Sequence, residues 1–122
     1  MAAGSTLIKL LIDQNPYKDL EIKAKNLLDG MKEIFDSYHI PFSTNQIGGM
    51  FGFFFSKELP CNLVDVENTN DKQFKKFLNK CIDNGIYFAP SKFEAGFIST
   101  KHTKTEISNT IKIVEKILKE GI

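Results

Sequence analysis

The chain has 122 residues, of which 42% are hydrophobic and 25% charged, and its formal net charge is +1 at pH 7. These values predict one globular domain with a single hydrophobic core, and they argue against a disordered or two-domain chain. All sixteen basic residues are lysines. Because arginine is the preferred residue for bidentate contacts to phosphate and guanine, its absence argues against a nucleic-acid partner.

Neither a membrane nor a metal is expected as a partner. The longest apolar run, residues 50–55, is too short to span a bilayer, and residues 1–5 lack the pattern of a signal peptide, so a cytoplasmic location is expected. Cys61 and Cys81 are widely spaced and belong to no CxxC motif, which predicts reduced thiols rather than a disulfide or a zinc site.

Three segments have the apolar spacing of long helices. The first runs from about Pro16 to His39 with Asn15 as its N-cap, the second from Asn70 or Asp71 to 84–85, and the third from a capping box at 103–106 to Gly121. Residues 7–11 form a further apolar helical patch without a preceding cap. That patch fits either the tail of a longer helix or an ordinary N-terminal amphipathic helix.

Short apolar runs between these helices predict strands. Residues 41–47 and 50–56 flank a glycine turn at 48–49, and the second run is apolar on both faces, which predicts a central strand covered above and below. Gly52 within it marks a close approach by another group. Residues 56–69 predict a surface excursion, and 86–89 and 95–99 predict two more strands. This order predicts an α+β fold in which a small, mostly antiparallel sheet packs against helices.

Glu94 is the first candidate for chemistry. It lies in a turn between two predicted strands, and Phe93 and Phe97 flank it, an arrangement that favours a partly desolvated carboxylate. An acid in a turn is also compatible with an ordinary solvated surface group, and local spacing leaves both interpretations open.

Three stretches carry a resemblance to a known family. Residues 1–4, residues 47–55 and above all residues 85–99, with the motif Ala-Pro-Ser-Lys-Phe-Glu-Ala-Gly-Phe at 89–97, resemble the C-terminal part of the glutamate-1-semialdehyde aminomutases. These enzymes are pyridoxal-phosphate aminotransferases of fold type I with class III sequence features. The resemblance implies that residues 1–14 end an interdomain helix, that 15–122 form the C-terminal α/β sandwich domain, and that the large cofactor domain is absent from this sequence.

The resemblance implies an isomerase of tetrapyrrole biosynthesis that moves an amino group within glutamate 1-semialdehyde to give 5-aminolevulinate. The intact enzyme would use pyridoxal 5'-phosphate and would be a homodimer acting on a small-molecule substrate. The Schiff-base lysine of the family lies in the large domain and nothing near Lys92 matches its motif, so no catalytic or cofactor-binding residue is assigned here. The fragment alone is expected to be inactive and to bind no cofactor.

Glu94 is the residue that carries over as substrate-binding. Related aminotransferases use an arginine from this stretch to hold a substrate carboxylate, whereas a glutamate favours an amine partner. Ser91 and the 48–49 turn are weaker candidates for the same cleft. His102 has no visible local partner and is expected to be a loop or helix-start residue rather than a proton shuttle.

Two other classes of function stay open. The chain fits the small domain of another class III aminotransferase. It also fits a free-standing α+β module that binds a small molecule or buries the 7–11 patch against a partner.

Overall fold

The computed structural model describes all residues from Met1 to Ile122. The three strands form one antiparallel sheet in which the second strand of the sequence is central, and the helices at residues 17–37 and 71–83 pack on one face of it. This arrangement confirms the predicted α+β class. The elements are α1 Ala2–Gln14, α2 Tyr17–Ser37, β1 Ser43–Ile47, β2 Met50–Phe54, α3 Leu63–Glu67, α4 Asp71–Asp83, β3 Gly96–Phe97 and α5 Lys104–Glu120.

The three long helices lie where their apolar spacing predicts them. Gly85, with φ +80°, follows the end of α4, a backbone region that glycine adopts without strain. At the start of α5, Thr103 and Glu106 form the expected capping box, in which each side chain accepts the backbone N–H of the other residue. No helix in the chain is both long enough and apolar enough to cross a membrane.

The boundary between α1 and α2 differs from the prediction. Asn15 does not cap α2 but ends α1 in the left-handed conformation, with φ 40° and its N–H bonded to the Leu11 carbonyl. Asparagine tolerates this conformation better than most residues, and Pro16 takes the N-cap position of α2. None of the residues of α1 is buried.

The glycine turn joins β1 and β2 as a tight hairpin, as predicted. Ile47 pairs with Met50 at its end, and Gly48 has φ +57°. Gly49 lies against α2, since a Cβ there would be 3.1 Å from the Cβ of Leu20. A side chain at this position would therefore push the hairpin away from α2.

The core is predominantly aromatic. Phe51 and Phe53 of β2, and Phe55 just after it, alternate onto the helix-covered face and are buried. Phe35 of α2 stacks on Phe42 with ring centroids 3.9 Å apart. Offset and edge-to-face ring contacts extend this cluster through the core. Its other members are Phe74, Phe77 and Phe88.

The prediction that β2 is covered on both faces is wrong. Met50 is exposed, and Gly52 and Phe54 are only partly buried. The sheet has three strands, one of them two residues long, and α2 and α4 pack on its other face, with α5 packed against both of these helices. The chain therefore forms two layers and leaves one face of its central strand open.

Two predicted strands in the second half also need correction. Residues 86–89 form no strand, because the segment is held by the ring of Phe88, which packs against Phe53 at 5.3 Å, and not by a ladder of backbone hydrogen bonds. A short apolar run does not distinguish these two cases. The strand predicted at 95–99 is limited to Gly96 and Phe97, which pair with Phe51 and Met50.

The excursion at 56–69 contains the short helix α3. Asn62 caps it, its side chain accepting the N–H of Asp65 at 3.0 Å. No residue of α3 is buried, so local capping rather than core packing holds its start.

Candidate functional site

The open face of the sheet forms the floor of a groove of about 390 Å³. Asn45 of β1 lies opposite Gly52 of β2 on this floor, with Phe54 beside them. Leu63 and Val66 of α3 form one wall, and residues 92–95 form another. The motif that carries the family resemblance therefore borders a groove on the uncovered face.

The turn that carries Glu94 is shaped by Ser91. The Ser91 carbonyl accepts the N–H of Glu94 at 3.0 Å, and its Oγ accepts the N–H of Phe93 at 3.2 Å. Ser91 itself does not line the main groove. Its observed contacts are those of a residue that orders the turn next to the groove.

Glu94 lines the groove with an exposed side chain. No lysine or histidine of the chain lies within ion-pair distance of its carboxylate, which leaves this charge free for a partner from outside. Of the two interpretations that the sequence left open, the structure supports the solvated carboxylate and not the desolvated one. Phe93 and Phe97 are themselves 56% and 69% exposed, because both belong to the open side of the sheet.

The contacts of Lys92 are structural rather than catalytic. Its Nζ donates to the carbonyl of Glu67 at 2.9 Å and to that of Thr69 at 3.3 Å. The same ammonium lies 5.6 Å from the centre of the Phe93 ring. Because its ammonium makes these contacts, the Lys92 side chain anchors the turn that carries Glu94.

The glycines of the hairpin have different surroundings. Gly48 and Gly49 do not line the groove, although their neighbours Ile47 and Met50 do. At Gly52, a Cβ would meet only the ring of Phe54, at 3.6 Å. The close approach predicted at Gly52 is thus not made by any group of this chain, and the position lies open on the groove floor.

His102 lies outside the groove, just before α5. Its Nδ1 accepts the N–H of Ser99 at 2.9 Å. His102 therefore lies in the loop before α5, and the expectation that it has no local partner is wrong, because this contact to Ser99 orders the chain that enters the helix.

The groove residues do not by themselves fit pyridoxal phosphate. The chain has no arginine, and the only cationic side chain in the groove is that of Lys92, whose ammonium is already bonded to two carbonyls. A Schiff base needs a free amine, and the groove offers none. No group of three His, Cys, Asp or Glu side chains is arranged to hold a metal.

Sequence reasoning missed part of the groove. Asn45 was recoverable in principle, because the tight hairpin places it opposite Gly52. Leu63 and Val66 were not, since a five-residue helix without buried residues gives almost no periodic signal.

The fold and the groove together define a small α+β domain that presents an unpaired carboxylate on the open face of its sheet. Among known proteins, glutamate-1-semialdehyde 2,1-aminomutase of Psychrobacter cryohalolentis is 39% identical over 124 residues. The alignment covers 98% of this chain and 29% of that protein, so the chain spans less than a third of its relative's length. No protein-family model matches the chain. The identity confirms the resemblance to the glutamate-1-semialdehyde aminomutases that the sequence motifs predicted.

Proposed function

We propose that this chain is the C-terminal domain of a pyridoxal-phosphate-dependent aminomutase that converts glutamate 1-semialdehyde into 5-aminolevulinate in tetrapyrrole biosynthesis. The observation that carries the proposal is the 39% identity to such an aminomutase over 98% of the chain. The lysine that binds the cofactor then belongs to a large domain outside this sequence. Residues 1–14 end the helix that joins the two domains, and the intact enzyme is a cytoplasmic homodimer.

The contribution of this chain is one wall of the substrate pocket. Pyridoxal phosphate supplies the electron sink for amino-group transfer when it is bound to the intact enzyme. Glu94 offers its free carboxylate to an ammonium group of the substrate, and it disfavours a substrate carboxylate in the same half of the pocket. Ser91 holds the turn that presents Glu94.

The charge of the groove favours an aminomutase over a class III aminotransferase that grips a substrate carboxylate. Such a grip needs a cation, and the groove has no free one. A free-standing binding module is the second candidate, and the observation in its favour is the groove of about 390 Å³. The two proposals differ in what the isolated chain should bind.

The first experiment adds pyridoxal phosphate to the isolated chain. We expect no lysine-linked absorbance band and no turnover, because the Schiff-base lysine lies elsewhere. A stoichiometric band formed by this chain alone would contradict the assignment. A small molecule that binds saturably and raises the melting temperature would instead favour the binding module, since a ligand of the native state stabilises it by mass action.

The second experiment uses the intact enzyme with Glu94→Gln. We expect kcat/KM to fall by about 10- to 100-fold, the usual range for losing one charge-assisted contact, with folding unchanged. The matched control is Glu115→Gln, which neutralises an exposed carboxylate on α5 outside the groove. Equal kinetics in the two variants would show that Glu94 has no role in turnover.

A further inference from the structure

Lys92 connects the two walls of the groove. It belongs to the wall formed by residues 92–95, yet its ammonium donates to the carbonyl at 67, the last residue of α3, and to that at 69, just beyond this helix. Lys92 is 25 residues from Glu67 and 23 residues from Thr69 in the sequence. Among the hydrogen bonds of the chain, these are the contacts that join the Glu94 turn to α3.

The wall formed by α3 needs such a contact. The helix has five residues and none is buried, so it gains little from core packing. Glu67 is its last residue, and its carbonyl lies at the negative end of the helix, where no further turn provides an N–H donor. A lysine ammonium satisfies this carbonyl and also interacts favourably with the helix dipole.

The other end of the contact is the Glu94 turn. Lys92 lies between Ser91, whose carbonyl and hydroxyl bond the backbone of the turn, and Phe93, whose ring lies beside the ammonium. A side chain fixed at its tip restrains the backbone from which it extends. Movement of α3 and movement of the turn are therefore linked through one residue.

We propose that Lys92 is a positioning residue, which holds the Glu94 turn at a fixed distance from α3 and so sets the width of the groove. Its effect on a substrate rests on the proposed function, whereas the link between the two walls is a property of this chain alone. A test on the chain can therefore fail or succeed independently of the enzymatic assignment.

The test follows amide hydrogen exchange, residue by residue, in the 122-residue chain carrying Lys92→Met. We expect exchange to accelerate by about threefold or more both at Glu94 and at residues 66–69, because one contact restrains both segments. Core amides of α2 and α5 should keep their protection. Lys92→Arg should retain the wild-type pattern, since a guanidinium also donates to two carbonyls. Lys101→Met, which removes an exposed lysine outside the groove, is the matched control.

Either of two results would overturn the proposal. In the first, Lys92→Met leaves the exchange of Glu94 as in Lys101→Met. In the second, only residues 66–69 loosen, which would make Lys92 a cap of α3 without influence on the turn.

The intact enzyme offers a second measurement. If Lys92 acts through Glu94, the double variant Lys92→Met/Glu94→Gln should have the same kcat/KM as Glu94→Gln alone. Additive losses would show that Lys92 acts on its own and would contradict a positioning role. A null effect of Glu94→Gln would refute the proposed role of Glu94 in turnover, while the exchange experiment would still decide the link between the walls.

Discussion

The two faces of the central strand β2 differ in what covers them. Phe51 and Phe53 are buried in the aromatic core on the face that the helices cover, whereas Met50 and Gly52 lie on the face that borders the groove. Adjacent residues of one strand thus have different functions. The covered face stabilises the fold, and the open face leaves apolar surface and a free carboxylate available for contacts. Substitutions on the two faces should therefore separate stability from binding.

The largest contrast is expected between two phenylalanines. Phe53 is 8% exposed and its ring lies within 6.0 Å of those of Phe42, Phe74, Phe77 and Phe88. Phe53→Ala should lower the free energy of unfolding by about 3–5 kcal/mol, because it removes a large buried side chain and leaves a cavity. Urea denaturation measures this loss.

The matched variant is Phe97→Ala on the open side. Phe97 is 69% exposed, so its loss should change the free energy of unfolding by no more than about 0.5 kcal/mol. Similar losses in the two variants would mean that the open face also carries the stability of the domain, and the contrast between the faces would be lost.

The next contrast uses two glycines. A Cβ at Gly96 would overlap the ring of Phe51, which is buried beneath β3, whereas a Cβ at Gly52 meets only an ordinary contact. Gly96→Ala should therefore destabilise by about 1–3 kcal/mol through overpacking. Gly52→Ala should be neutral or slightly stabilising, because glycine within a strand has an entropic cost. Thermal unfolding of both variants measures the difference.

Gly52→Ala also narrows the groove floor. In the intact enzyme it should lower kcat/KM while the free energy of unfolding is unchanged or higher. A destabilised Gly52→Ala variant would indicate that this glycine serves the fold, and an unimpaired enzyme would indicate that nothing approaches the groove floor closely.

The covered half of the molecule was the more predictable half. The helices α2, α4 and α5 follow from apolar spacing, because each buries one stripe of apolar side chains. The start of α5 also follows from its capping box, because Thr103 and Glu106 are only three residues apart in the sequence. The glycine hairpin follows in the same way. The segment 86–89 was wrongly predicted as a strand, since a run that inserts one ring into the core and a run that pairs in a sheet have the same composition.

The open half was harder to predict, because its features depend on contacts between residues that are distant in the sequence. Glu94 was identified from its position between aromatic residues and from its motif, but the sequence left its exposure open, because whether Phe93 and Phe97 desolvate it depends on which face of the sheet the helices cover. The contacts of Lys92 to Glu67 and Thr69 join segments more than 20 residues apart. No local pattern predicts such a contact, and only the packed structure reveals it.

The smallest contrast is between two helix caps. Thr103 caps α5, which packs on the covered side, and Asn62 caps α3 at the groove. Thr103→Ala should lower the global free energy of unfolding by about 1 kcal/mol, while Asn62→Ala should mainly accelerate local amide exchange in α3, which has no buried residue. An equal global loss in both variants would show that α3 belongs to the cooperative core.

The cap of α5 also predicts a dependence on pH. The pKa of Glu106 lies below its ordinary value, chiefly because its carboxylate accepts the Thr103 backbone N–H. A carboxyl whose pKa is lower in the folded state stabilises the fold above its unfolded pKa, and this stabilisation is lost as the pH falls through the folded value. Glu106→Gln keeps an acceptor for the N–H but cannot ionise, so its free energy of unfolding should fall less steeply with decreasing pH than that of the wild type. Parallel curves for the two proteins in acid would mean that the charge of Glu106 does not contribute to the cap.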